Sequence, residues 1–417
     1  MSFITLLLYI TAIYIRPQEW VPQIYGWPLI NILAIVTAFC VLIEAGMNQK
    51  LRVNEPQIIL LLAFLGCIVM SHLSHGYLGG AWDSFLKFGP NVVMFFLFVN
   101  ALNTEKRIKI AIWLIIILTA VLAVQGIYQY NHGFGWAGQP LSQVTKETPN
   151  GRITWIGIFN DPNDLALTFV VAIGFLISFI FNKSAWLIKI ASVPLAALLI
   201  YSLYLTNSRG GYLAFAATIG YFFLRKFKNK FVAIAIGTIL AFVVLLVGPS
   251  RMADVSAEED SAQGRIEAWY SGFQMLKSAP LFGVGYGMFT DYHDRTAHNS
   301  YILVAAEEGL VGMVVWIALI YICFKGFFAI RSQENASLNF NIQGLEAALF
   351  GFLCSAYFLS RAYIAILYLI IALASATSYL FLKKNEYSYT LKDLGIVSAI
   401  SSSLLVMTFV SMKLSLK

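Results

Sequence analysis

"EKRIKIAIWLIIILTAVLAVQGIYQY", residues 105–130, sets Lys106, Arg107 and Lys109 directly before a run, residues 110–130, that carries no charge. A helix rises about 1.5 Å per residue, so about twenty apolar residues cover the ~30 Å hydrocarbon layer of a bilayer. The stretch reads as a transmembrane helix, and its basic leader marks the cytoplasmic end. Comparable runs recur near residues 2–15, 28–46, 57–73, 84–102, 164–181, 186–206, 211–224, 231–249, 299–324, 342–358 and 363–382, with one more near 394–412. The expected fold is an all-α polytopic membrane protein of about twelve transmembrane helices, thirteen if 394–412 also spans. The first run has neither a basic n-region nor a small-residue cleavage site, so it is expected to be retained rather than removed as a signal peptide.

The composition agrees. Of 417 residues 59% are hydrophobic and 12% charged, against roughly one quarter charged in soluble domains; mean hydropathy is +0.74. The net charge of +7 comes from short basic loops: "KLR" (50–52), "EKRIK" (105–109), "RKFKNK" (225–230) and "LKK" (382–384). They alternate with loops poorer in Lys and Arg, as the positive-inside rule requires. No basic strip with interleaved aromatics appears, so nucleic acid is not an expected partner. Cys40, Cys67, Cys323 and Cys354 all fall within apolar runs without CxxC spacing, which argues against disulfides and zinc.

With the basic loops inside, the N-terminus is cytoplasmic, and the two long polar stretches, 131–163 and 250–298, face the outer side. The chain divides into N-terminal helices (1–130), a first outer loop (131–163), central helices (164–249), a large outer loop with a surface helix (250–298) and C-terminal helices (299–417). His72, His75, His132, His293 and His298 all come out on the outer face, with Arg209 in "TNSRGG" and Arg361 in "LSRA". Within 131–163, "PNG" (149–151) signals a turn, "RITWIGIF" is β-prone, and Asp161 before Pro162 reads as an N-cap opening the next span. In 264–280, Ile266, Trp269, Phe273 and Leu276 recur at helical spacing, so an amphipathic helix on the membrane surface is expected, ended by Pro280.

Three basic groups carry candidate chemistry. Arg209 stands beside Gly210 and Gly211, which allow close backbone approach; the plainer reading is a snorkelling anchor. Arg265 lies on the surface helix, where the plainer reading is a neighbour of Glu267 on a solvated face. His298 opens a span beside Asn299, and alone it reads as an ordinary interfacial polar residue. Glu307 and Glu308 follow within the span; Glu308 lies ~15 Å along the axis from His298, beyond contact unless the helix bends. "SHLSH" (71–75) and "DYHDRTAH" (291–298) lack the HExxH arrangement of a zinc helix. "GVGYG" follows no strand, and neither GxSxG nor a Walker A lysine occurs. Lys189, mid-span in "WLIKIA", is an intramembrane charge of the kind that marks transport pathways.

"HNSYILVAAEEGLVG" (298–312) reads His-Asn, nine residues, Gly, two residues, Gly. It resembles the signature of the O-antigen ligases, whose superfamily includes the O-antigen polymerases and protein O-oligosaccharyltransferases. "GIFNDPNDLA" (157–166), "TNSRGG" (206–211) and "GRIEAWYSGFQMLKSAPLFGVGYGMF" (264–289) agree in order, so the resemblance covers about residues 150–312. It implies a glycosyltransferase C-like membrane enzyme of lipopolysaccharide biosynthesis in the bacterial inner membrane, with the outer loops periplasmic. The implied donor is a glycan on undecaprenyl diphosphate, and the acceptor is a sugar hydroxyl of lipid A-core, within a membrane-lipid environment. The implied transfer inverts the anomeric carbon and uses neither metal nor cofactor. The matching residues are His298, which would activate the acceptor, and Arg209 and Arg265, which would hold the diphosphate. Asn299, Glu308, Arg152 and Arg361 are supporting candidates. A span at 394–412 would be a thirteenth where these proteins typically have twelve.

Physical chemistry suits that assignment. Diphosphate is already a good leaving group and needs charge stabilisation, which guanidinium groups supply through bidentate bonds. A sugar hydroxyl needs a base, and histidine titrates near neutrality. Polymerase and protein O-oligosaccharyltransferase activities remain alternatives with the same donor. A lipid or glycan transporter is the rival from another class, and it would favour charges near the bilayer midplane.

Overall fold

The computed structural model describes residues 1–47, 50–144, 151–182, 185–227, 229, 231, 234–235, 237, 259–333 and 342–415. Among them the regular structure is helical, with two isolated bridges, Phe134 with Pro140 and Ser142 with Arg152. The longer helices are α1 (Ser2–Ile15), α2 (Leu29–Gly46), α3 (Pro56–Leu73), α4 (Leu78–Ala101), α5 (Glu105–His132), α6 (Pro162–Phe181), α7 (Trp186–Leu205), α8 (Arg209–Lys226), α9 (Glu259–Ser278), α10 (Ser300–Ser332), α11 (Ile342–Ala356), α12 (Ala365–Phe381) and α13 (Leu391–Ser415). Eight stretches among the described residues are long and apolar enough to cross a membrane: α2 to α7, α10 and the stretch Lys384–Leu414. The expected span at 231–249 lies almost wholly outside the described residues, as do 250–258 and the first two residues of "PNG". The β-prone "RITWIGIF" forms one bridge and then a 3-10 turn, Gly157–Phe159. α7 begins at Trp186, so Lys189 sits in its first turn rather than mid-span, where a lysine stem can reach the interface.

The chain forms two compact units, each built from discontinuous segments. The first takes Met1–Leu51, Asn100–Asp254 and Gln333–Ser355. Its core is α6, opened as expected by an Asp161 N-cap whose side chain accepts from Asn163 N–H. α6 packs against α5, α7 and α8. A Cβ on Gly174 would stand 2.7 Å from the Ala348 backbone, so α6 and α11 meet backbone to backbone. Glu346, fully buried on α11, accepts from the Tyr221 hydroxyl at 2.6 Å and pairs with Arg225 at 3.2 Å.

The second unit takes Arg52–Val99, Val255–Ser332 and Ala356–Lys417. α12 forms its centre, buried continuously from Ile366 to Ser378. α10 packs against α3, α9, α12 and α13. α9 ends at Ser278, just before Pro280. Its apolar stripe packs on the protein: Trp269, Phe273 and Leu276 lie against a cluster that includes Ile302, Leu303 and Leu405.

α10 is broken at Gly309 (φ 67°, ψ −169°). A break frees two amides and two carbonyls that a continuous helix would pair, and inside a bilayer each needs a partner. The segment 280–285 supplies them all. Leu310 N–H donates to Pro280 O (2.8 Å) and Val311 N–H to Leu281 O (3.2 Å), while Val284 and Gly285 donate to Ala306 O (2.9 Å) and Glu307 O (3.0 Å). Gly283 (φ 70°) and Gly309 sit at the crossing. A Cβ on the first would meet the Glu307 backbone at 2.3 Å, and one on the second the Leu281 backbone at 2.4 Å. Left-handed φ and absent space together exclude any other residue.

Candidate active site

In the first unit Arg209 is the first residue of α8. Ser208 caps that helix, its side chain accepting from Gly211 N–H, and Asn207 takes φ 49° in the turn before it. Gly211 lets α8 approach α6, since a Cβ there would lie 2.8 Å from that of Ala166. A cation at a helix N-terminus works against the macrodipole. The amides at the start of α8 carry partial positive charge, and Arg209 adds a cationic residue at the same helix end. Arg152 is 4% exposed, and its guanidinium bonds Thr206 O (2.7 Å), Gln143 Oε1 (2.5 Å) and Asn163 Oδ1 (2.9 Å). It lies beneath the α7–α8 turn, engaged with protein oxygens.

The second unit holds Arg265, His298, Asn299, Glu308 and Arg361. Asn299 is fully buried and caps α10, its Oδ1 accepting from Tyr301 N (2.9 Å) and Ile302 N (3.1 Å). That cap fixes His298 one residue earlier, partly exposed, at φ 48°. For a side chain as large as imidazole this backbone state costs energy and needs surrounding bonds to hold it. Trp269 Nε1 donates to Ala297 O (3.0 Å), Thr296 Oγ1 to Ser360 Oγ (2.7 Å) and Ser300 Oγ to Leu359 O (2.6 Å). Arg361 N–H donates in turn to Ser300 Oγ (2.8 Å). The structure thus brings the Arg361 turn and the His298 segment together.

Arg265 is one helical turn before Trp269, on the side of α9 that faces this segment. It is partly buried, and burial lowers its pKa. Glu267, the neighbour a solvated face would offer it, is exposed and accepts from Gln263 at 3.3 Å. Among the described residues Arg265 has no hydrogen-bond or ion-pair partner. Partial burial of an unpaired guanidinium is unfavourable and leaves the site complementary to an anion.

Glu307 and Glu308 are 2% and 0% exposed, at the break of α10. Glu307 Oε1 accepts from Phe289 N at 3.2 Å and Glu308 Oε1 from the Tyr363 hydroxyl at 3.5 Å. Burial, then these carboxylates, hold the Tyr286 hydroxyl above the usual phenol range. His72 bonds Tyr286 O (3.1 Å), His75 bonds Gly283 O (2.9 Å), and Ser71 accepts from Tyr286 N (3.0 Å). "SHLSH" therefore clamps the glycine-rich turn to the end of α3. Sequence reasoning missed that role, and missed Tyr363 and Asn163; the paired carbonyls at the break carry no side-chain signal.

These helices and this geometry define a multi-pass membrane protein. Residues 194–317 match the profile of the family described as O-Antigen ligase, and the match supports the O-antigen ligase superfamily that the motifs resemble. It supports a ligase- or polymerase-like glycosyltransferase. The matched stretch holds Arg209, Arg265, His298, Asn299 and Glu308; Arg152 and Arg361 lie outside it. No curated protein matches the chain.

Proposed function

We propose that this protein transfers a glycan from undecaprenyl diphosphate to a sugar hydroxyl of lipid A-core at the periplasmic face of the bacterial inner membrane, through twelve or thirteen spans and a periplasmic loop over 250–298. Arg209 and Arg265 hold the diphosphate. His298 takes the acceptor's proton as the hydroxyl oxygen bonds to the anomeric carbon. The bond from that carbon to the diphosphate oxygen breaks, and undecaprenyl diphosphate leaves with the electron pair. Attack opposite the leaving group inverts the centre. Asn299 holds His298 through the cap of α10, Arg361 flanks the same segment, Arg152 braces the turn before Arg209, and Glu308 supports the turn over the helix break. The chemistry asks the protein for positioning and positive charge, which its own side chains supply.

The observation that carries this reading is Arg265: partly buried, without an anion among the described residues, on the helix whose Trp269 bonds the residue before His298. The test uses purified protein in detergent with lipid-linked glycan and lipid A-core. Wild type is expected to form a new glycosidic bond, and His298→Ala and Arg265→Ala to lose at least about 100-fold in rate while remaining folded. A second donor molecule in place of lipid A-core separates ligase from polymerase. Movement of lipid between leaflets without a new bond would overturn the enzyme reading in favour of transport.

A further inference from the structure

We infer that Asn163 is a positioning residue that fixes the direction of Arg209, an inference that rests on reading Arg209 as a diphosphate ligand. Its carboxamide joins its own neighbour Asp161 to Arg152 and to the more distant Ser208, all within the first unit. The amide nitrogen donates to Asp161 Oδ1 at 2.9 Å, and the same carboxylate oxygen accepts Asn163's own backbone N–H at 2.7 Å. That contact settles which way the amide faces, since its NH2 must point at the carboxylate. Its oxygen then faces the other way and accepts twice, from Arg152 Nη2 at 2.9 Å and from the Ser208 hydroxyl at 2.7 Å.

Both donors grip the α7–α8 turn, one on each side of Asn207. Arg152 Nε donates to Thr206 O at 2.7 Å, before it. Ser208, after it, spends its proton on Asn163 and accepts Gly211 N–H at 3.1 Å as the cap of α8. Asn207 itself is in the left-handed region at φ 49°, a state that needs such outside support. Arg209 follows immediately. Shifting this turn, and with it the start of the helix that carries Arg209, breaks a bond at Asn163.

No other side chain of this size serves. Aspartate would set a second carboxylate against Asp161, and alanine would leave the Arg152 Nη2 and Ser208 protons without their acceptor. The function of this hub is orientation rather than contact with substrate.

The experiment is a double-mutant cycle in the transfer assay with undecaprenyl-diphosphate-linked oligosaccharide and lipid A-core, KM of each substrate being measured separately. Asn163→Ala is expected to raise donor KM about ten-fold with acceptor KM unchanged, and the variant carrying Asn163→Ala and Arg209→Ala to be no weaker than Arg209→Ala alone. Additive losses, or an unchanged donor KM in Asn163→Ala while Arg209→Ala is impaired, would overturn the inference. If Arg209→Ala leaves donor KM unchanged, the assignment of Arg209 itself falls and the inference with it. Ser208→Gly keeps a cap-compatible residue yet deletes the bond to Asn163. It is expected to reproduce the donor KM effect should Asn163→Ala not fold, and an unchanged donor KM there overturns the inference equally.

Discussion

Arg265 shows how a single side chain trades stability against function. Its guanidinium is partly buried, desolvation lowers its pKa, and no carboxylate among the described residues compensates. Replacing it with an apolar chain of similar length removes that penalty. Arg265→Met is therefore expected to raise the thermal midpoint of the detergent-solubilised protein, by a gain of about 1 kcal/mol, while transfer falls at least ~100-fold. A fall in the midpoint would mean that the charge pairs within the protein, and the anion-binding role would lose its support. The residue's identity was legible in "GRIEAW", but its isolation was not. Which face of α9 turns inward, and that Glu267 turns out, depend on α10, more than thirty residues further along the chain.

At the scale of elements, apolar run length and punctuation were readable: α1 and α6 begin and end where the runs and Asp161–Pro162 suggest, and α9 ends just before Pro280, although it begins at Glu259, ahead of the expected stretch. The break in α10 was not. A glycine within an apolar run is compatible with a straight helix, and it becomes a break here because segment 280–285 supplies partners for the four freed backbone groups. The two glycine motifs are thus one device, in which Gly283 and Gly309 allow a loop to lie in the gap of a membrane helix. Gly309→Ala combines left-handed φ with a clash on the Leu281 backbone, and is expected to cost about 2–4 kcal/mol. Gly287→Ala, at φ 75° but with open space around the missing Cβ, pays only the backbone part, about 1–2 kcal/mol. Thermal unfolding in detergent checks the order; equal losses would show that the crossing is not tightly packed. The histidines of "SHLSH" belong to the same device. Their spacing fits metal ligands and clamps alike, and the deciding partners are carbonyls of a turn about 210 residues distant.

For the whole molecule, hydropathy and charge alternation made the class legible, because a bilayer dictates length, apolarity and flanking charge over long stretches. The chemistry was legible only as residue types within ordered motifs, and the profile match over 194–317 spans the three proposed groups. Sequence could not show that Trp269 ties α9 to the His298 segment, or that Asn163 braces the turn before Arg209, since each of these bonds joins separate stretches of chain. The proposed account requires Arg209, Arg265 and His298 to act on one donor molecule. The most direct measurement is a structure of the protein in lipid with a non-transferable undecaprenyl-diphosphate glycan analogue bound. The account predicts the diphosphate within hydrogen-bond reach of both guanidinium groups, with the His298 imidazole on the opposite side of the anomeric carbon from the leaving oxygen. A diphosphate bound away from either arginine, or on the cytoplasmic side, would contradict it.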